Sequence, residues 1–227
     1  MKETIAKLNN WLEQLSQFSL SDWEDLPDLY LYMDQVVTYL ERELKNLRTS
    51  NEEIIITPWM INNYVKGKLI PTPENKKYSK EHLGYIIAIC TIKQIMSIND
   101  IKQLFDFNRQ ITDNPQALYD FIKDNLRKVI YDVSKETETS LKPVLSNTVN
   151  SDEATKQLYD YATELALEAS IKKIIANKIF DLIEKADEMK HREIEAKEKE
   201  RLEFEKLEKE KTIKEQNKKM QMSKGQK

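Results

Sequence analysis

Glycine is scarce in this chain: three residues, Gly67, Gly84 and Gly225, serve 227 positions. Glycine supplies the positive backbone angles of hairpin turns and tight loops, so an all-β or a βαβ architecture would struggle to close its connections. The single cysteine, Cys90, lies in the apolar run Gly84-Tyr85-Ile86-Ile87-Ala88-Ile89-Cys90, which excludes an intrachain disulfide and suits a small buried thiol. Histidine is equally rare. His82 falls in the first turn of an apolar helix and His191 in a charged tail, neither with cysteine or carboxylate at ligand spacing, so a surface role is expected for each and no metal. No glycine-rich phosphate loop, nucleophile elbow or paired catalytic carboxylate is present, so neither an enzyme nor a cofactor is expected. Asp34, inside an apolar helix, reads as a surface or hydrogen-bonded structural acid. The opening Met1-Lys2-Glu3-Thr4-Ile5 lacks an export signal's apolar stretch and no later segment approaches a membrane span, so a cytoplasmic protein without a membrane partner is expected.

What is abundant is charge, 33% of residues against 40% apolar, the balance of long helices with solvated faces. The net charge of −3 hides a reversal of sign. Residues 1–53 carry eleven acidic and five basic side chains, whereas residues 54–105 carry seven basic and three acidic. A local basic patch can hold a polyanion even on an acidic chain, because phosphate contact acts at short range under screening.

Apolar spacing predicts a helix from Glu3 to Phe18 on Ile5, Leu8, Leu12 and Leu15. A second is predicted from Asp28 to about Leu47 on a stripe that includes Leu29, Met33, Val36, Leu40 and Leu44. Asn51-Glu52-Glu53 closes this acidic segment. Thr57-Pro58 then starts a short helix, threonine capping free amides and proline fitting the first turn, and Gly67 is placed to end it. Leu69 to Tyr78, with Pro71, Pro73 and the pair Lys76-Lys77, reads as a minimal strand-turn-strand. Ser79 caps an apolar helix to about Met96, Ser97 and Asp100 form a capping box, and Asn114-Pro115 opens a helix striped by Leu118, Phe121, Ile122, Leu126, Val129, Ile130 and Val133. Lys142-Pro143 reads as a loop. A long helix starts at Ser151, and beyond Ala186 the apolar spacing fails, leaving a charged tail that is either a solvated helix or disordered.

The expected fold class is therefore all-α with a small two-strand wing, a winged helix-turn-helix core embedded in helical flanks. The expected divisions are 1–53, an acidic helical segment; 54–110, the winged-helix region; 111–185, a helical region for dimerisation or signal reception; and 186–227, the tail. On the 57–66 helix, Ile61 and Val65 face inward and leave Asn62, Asn63 and Lys66 outward, with Trp59 as a partly buried anchor. Asparagine can pair with two atoms of an adenine edge. Lys68, Lys76, Lys77 and Lys80 fall where a wing and its flanks would meet phosphate.

The stretch from Met60 to Pro71 (MINNYVKGKLIP), then Tyr78, then Ile95-Met96-Ser97-Ile98-Asn99-Asp100-Ile101, resembles the MerR-type winged helix. More closely it resembles the bacterial domain-of-unknown-function family eighteen thirty-six, whose members also carry a motif like Leu31-Tyr32-Met33-Asp34-Gln35-Val36. The likeness spans roughly residues 27 to 110. It implies a DNA-binding transcriptional regulator with double-stranded DNA as partner and an effector that the sequence does not name. A homodimer is expected because a repeated half-site needs two reading helices and the helix from Ser151 to about Lys185 presents more apolar face than one small domain requires. The resemblance carries residue roles as well. It implies that Tyr64 matches an aromatic that helps hold the DNA backbone, with Lys76 and Lys77 on the wing. Asn62 stands where MerR-like proteins usually carry arginine, and no short helix directly precedes Thr57, so the helix predicted from Asp28 stands in for it. The rival expectation is a helical protein-interaction module on the same scaffold that no longer binds DNA.

Overall fold

The computed structural model describes residues 1–48, 50, 53–112 and 114–224, apart from the side chains at 204, 207 and beyond 209. It is mainly helical, and among the described residues there is no sheet. In chain order the helices are α1 (Lys2–Ser16), α2 (Met33–Glu43), α3 (Pro58–Lys66), α4 (Lys80–Ile92), α5 (Ile98–Ile111), α6 (Pro115–Ser140), α7 (Lys142–Leu145) and α8 (Ser151–Lys224), with single 3-10 turns at Trp23–Asp25 and Lys45–Leu47. By backbone contacts the chain divides into two units, Met1–Lys173 and Ile174–Lys227. The second is, among its described residues, helix alone, so the charged tail is helical as far as Lys224. None of its described side chains is buried. No helix among the described residues is long and apolar enough to cross a membrane.

In the first unit one core is built around α4, which is apolar on all sides and buried at every residue from His82 to Cys90. Such a helix must be wrapped. Helices α2 and α6 pack against it, and α5 packs on α6. The core draws on Phe18, Leu20 and Leu26 from the N-terminal segment, Val36 and Leu40 of α2, Ile61 and Tyr64 of α3, Ile101 and Phe105 of α5, and Leu118 and Tyr119 of α6, so it crosses the divisions expected at 53/54 and 110/111. A smaller cluster of Ile5, Leu141, Val144, Ala154 and Tyr161 joins α1, α7 and the start of α8.

Capping fixes several starts as the sequence indicates. Ser97 Oγ accepts from Asp100 N at 3.1 Å while the Asp100 carboxylate accepts from Ser97 N at 3.2 Å. Asn114 Oδ1 accepts from Gln116 N and Ala117 N at 3.0 and 3.3 Å. Each cap satisfies amides that have no partner within the helix.

Four expectations are corrected. The helix predicted from Asp28 begins only at Met33. Tyr78 takes Leu31 into a reciprocal backbone pair, Leu31 N to Tyr78 O at 2.9 Å and Tyr78 N to Leu31 O at 2.8 Å, which holds residues before Met33 extended. The Gln35 side chain then accepts from Tyr32 N at 2.9 Å and caps the late start. Second, the two-strand wing is no ladder: within residues 70–78 the one pairing is the isolated bridge Glu74 to Lys77, and Tyr78 pairs outside the stretch with Leu31. Pro71 and Pro73 have no amide to donate, and Tyr78 spends its own on Leu31. Third, Phe121 and Val129 of the predicted α6 stripe point to solvent, while Tyr119 is buried instead and its hydroxyl donates to Ser21 O at 2.7 Å. Fourth, Lys142-Pro143 opens the one-turn α7 rather than a loop, proline fitting its first turn. The close of the acidic segment at Asn51-Glu52 lies outside the described residues.

Candidate nucleic-acid interface

Helix α3 is short, and its placement is set at both ends. Thr57 Oγ1 accepts from Met60 N at 3.2 Å, and Pro58 occupies the first helical position, where no amide is needed. The extended residues before it are held by Glu41 of α2, whose carboxylate accepts from Ile55 N and Ile56 N at 3.2 Å each and pairs with Arg48. From the other side Lys93 donates to Ile55 O at 2.5 Å. At the C-terminal end the left-handed residue is Lys68 (φ 58°), not Gly67, whose φ is −75°. Gly67 is needed for space: a Cβ there would stand 2.9 Å from Leu69 Cδ1 and 3.2 Å from Asn63 O. The reversal sends Leu69 and Ile70 into the core.

This anchoring divides α3 into two faces. Ile61 is 0% exposed, Tyr64 is buried, and Val65 packs against the core from a half-buried position. The opposite face presents Trp59, Asn62, Asn63 and Lys66, at i, i+3, i+4 and i+7; Asn63 is half-buried and the others are exposed. No acidic residue occurs on α3.

Tyr64 is therefore not available to hold a DNA backbone. It is 5% exposed, and desolvation drives its phenol pKa upward, as expected of a core tyrosine. Trp59 departs from expectation in the other sense. It is 73% exposed, an outward residue rather than an anchor. A sequence signal for this existed, since with Ile61 and Val65 inward the helical period places residue 59 outward with 62 and 66.

Asn75 and Lys76 both have positive φ, 50° and 61°, the backbone a two-residue hairpin turn requires, and they lift the lysine pair to the tip of the 70–78 loop. The predicted phosphate-binding lysines separate into two groups. Lys66, Lys68 and Lys76 are exposed and, among the described residues, make no ion pair. Lys77 lies over the Tyr32 ring at 5.4 Å, and Lys80 over the Trp23 ring at 5.7 Å while donating to Glu24 O at 3.4 Å. Beside the loop, Leu29, Tyr30 and Tyr32 are exposed instead of striping a helix. The alternation Leu29-Tyr30-Leu31-Tyr32 was the legible trace of that extended segment.

His82, expected on the surface, is buried at the base of this loop. Its Nδ1 accepts from Ser79 N at 3.0 Å, which places the neutral ring's proton on Nε2. Burial pushes its pKa below the ordinary value. A cleft of about 520 Å³ lined by Asp28, Tyr30, Pro71, Glu74, Lys80 and His82 opens between the extended segment, the loop and the start of α4.

The whole is a helical domain that turns an amide- and lysine-bearing helix face outward beside a lysine-tipped turn. Residues 21–122, a little under half of the chain, match the family described as Domain of unknown function (DUF1836), and that stretch holds α2 to α5, the 70–78 loop and the start of α6. No curated protein and no solved structure matches the chain.

Proposed function

We propose that the chain is a cytoplasmic transcriptional regulator that binds duplex DNA, with α3 as reading helix and the 70–78 loop as a reduced wing of MerR-like kind. The carrying observation is the outward face of α3, which holds two asparagines and a terminal lysine and no acid, over an inner face buried in the core. Asn62 and Asn63 supply the amide that pairs with an adenine edge, and Lys66, Lys68 and Lys76 supply phosphate contact. Lys77 and Lys80, already engaged with aromatic rings, hold the wing to the body and contribute less. In this reading α2 serves as the supporting helix of the helix-turn-helix, since it packs on both α3 and α4. The chain acts as a homodimer, which a repeated half-site requires, and the exposed isoleucines of α8 from Ile174 onward supply the contact.

The test is duplex binding by the full chain across a salt series, on genomic fragments and on random sequence. The parent is expected to lose affinity steeply as salt rises. Lys76→Ala with Lys77→Ala should weaken all sequences alike and flatten the slope, and Asn62→Ala or Asn63→Ala should cost on the order of 1 to 3 kcal/mol on the preferred site alone. Full discrimination retained by both asparagine variants and their double would remove α3 as the reader. A second reading, a helical protein-interaction module, is favoured by the exposed Leu29, Tyr30 and Tyr32. It becomes the account if no duplex is bound at low salt.

A further inference from the structure

We infer that Trp59 is a specificity-determining residue that packs on thymine methyl groups, so that the site read by α3 is built of neighbouring A·T pairs. The inference rests on the duplex-reading proposal above and names the DNA class that this face would select. Trp59 is 73% exposed in the first turn of α3 while Ile61, two residues on, is 0% exposed, so the fold holds a large apolar ring out in water on the face that carries Asn62 and Lys66. Among the described residues the ring pairs join Trp23 to Tyr119, Tyr78 to His82 and Tyr85 to Phe105, and Trp59 belongs neither to these nor to the apolar residues packed on the core.

The chemistry of the outward face is selective by what it lacks. Arginine, the best bidentate reader of guanine, is absent from α3, as are the acids that accept from cytosine, and Lys66, the one residue there that can also pair with guanine, stands at the far end of the helix from Trp59. Two amides fit adenine, and a flat apolar ring fits the only apolar group in the major groove, the thymine methyl. Spacing agrees. A rise of about 1.5 Å per residue puts Trp59 about 4.5 to 6 Å along the axis from Asn62 and Asn63, one to two base-pair steps at about 3.4 Å each. An amide on one adenine thus sets the ring over a thymine of an adjoining pair. Lys66, one further turn along, reaches the flanking phosphate.

The test uses the full chain and duplexes enriched by it from a random pool, each then remade with deoxyuridine in place of thymidine, which keeps every hydrogen bond and removes only the methyl. The enriched half-sites should contain adjoining A·T pairs, and the parent should bind the uracil duplex about fourfold more weakly for each buried methyl lost. Trp59→Ala should bind both duplexes equally and melt at the parent's temperature, because its side chain supports no core. Trp59→Leu, which keeps an apolar surface, should retain part of the preference. Equal binding of thymine and uracil duplexes by the parent, or a preference that survives in Trp59→Ala, overturns this inference and leaves duplex reading intact. Failure to enrich any sequence overturns both.

Discussion

Helix α4 and the helical unit from Ile174 onward are built on the same apolar residue, isoleucine, and treat it in opposite ways. In α4, Ile86, Ile87 and Ile89 are all 0% exposed, wrapped by α2 and α6. In the second unit, Ile174, Ile175, Ile179 and Ile183 are each about half exposed, and the helix is laced instead by ion pairs such as Lys178 and Lys185 on Asp181 and Arg192 on Glu188. Pairs of this exposed kind are screened by solvent and contribute too little to define a unique packed unit. An isoleucine therefore marks where a chain can be buried, and a second element decides whether it is.

The largest effect that separates the two regions is truncation of their isoleucines. Ile87→Ala should lower unfolding free energy by about 2 to 5 kcal/mol at any protein concentration, measured by urea denaturation, because it opens a cavity in a closed core. Ile179→Ala should leave the monomer within about 0.5 kcal/mol of the parent, as surface changes do. It should instead reduce the dimer fraction seen by sedimentation at micromolar concentration. A monomeric parent at that concentration would remove α8 as a contact, and an Ile179→Ala loss equal to that of Ile87→Ala would mean the comparison is misdrawn.

Next in size is the close approach that wraps α4. A Cβ on Gly84 would stand 2.6 Å from Trp23 Cζ3, and Trp23 in turn packs tilted against Tyr119 with ring centroids 5.5 Å apart. Gly84→Ala should destabilise by about 1 to 3 kcal/mol, the usual range for overpacking, and red-shift tryptophan emission as Trp23 is displaced. A shifted spectrum with unchanged stability would show that the ring moves without cost.

The smallest effect concerns protons. His82 is buried with its pKa depressed, chiefly by desolvation, below the 6.5 of a free histidine, whereas no shift of that kind is available to a chain that is unfolded. The unfolded state binds the proton first, so stability is fully present above pH 6.5 and falls as pH drops below it. Protonation would also remove the acceptor that caps Ser79 N. His82→Gln keeps an acceptor at the same position and cannot titrate. Melting temperature as a function of pH should therefore flatten below pH 6.5 in the variant, and an equal slope in both proteins would assign the effect elsewhere.

Much of the helical outline was legible in the sequence. Thr57-Pro58, Ser97 with Asp100 and Asn114-Pro115 are local signals, each satisfying amides within three residues, and they and Ser79 each start a helix where they stand. The outward positions of Asn62 and Lys66 followed from helical period alone. Other features depended on partners remote in the chain. Leu29 reads equally well as a helix stripe residue until Tyr78, far along the sequence, draws Leu31 into an extended pair. Tyr64 and Trp59 exchanged their expected roles because burial is settled by what lies opposite: the core at one ring and solvent at the other. His82 went inside because its ring could spend Nδ1 on the amide of its own helix cap. Local hydrogen bonding and period are written in neighbouring residues and determined where α3, α4, α5 and α6 begin and which way α3 faces. The choice among apolar and aromatic residues for core or surface needed the packed neighbours, since a side chain's free energy of burial depends on the surface that meets it.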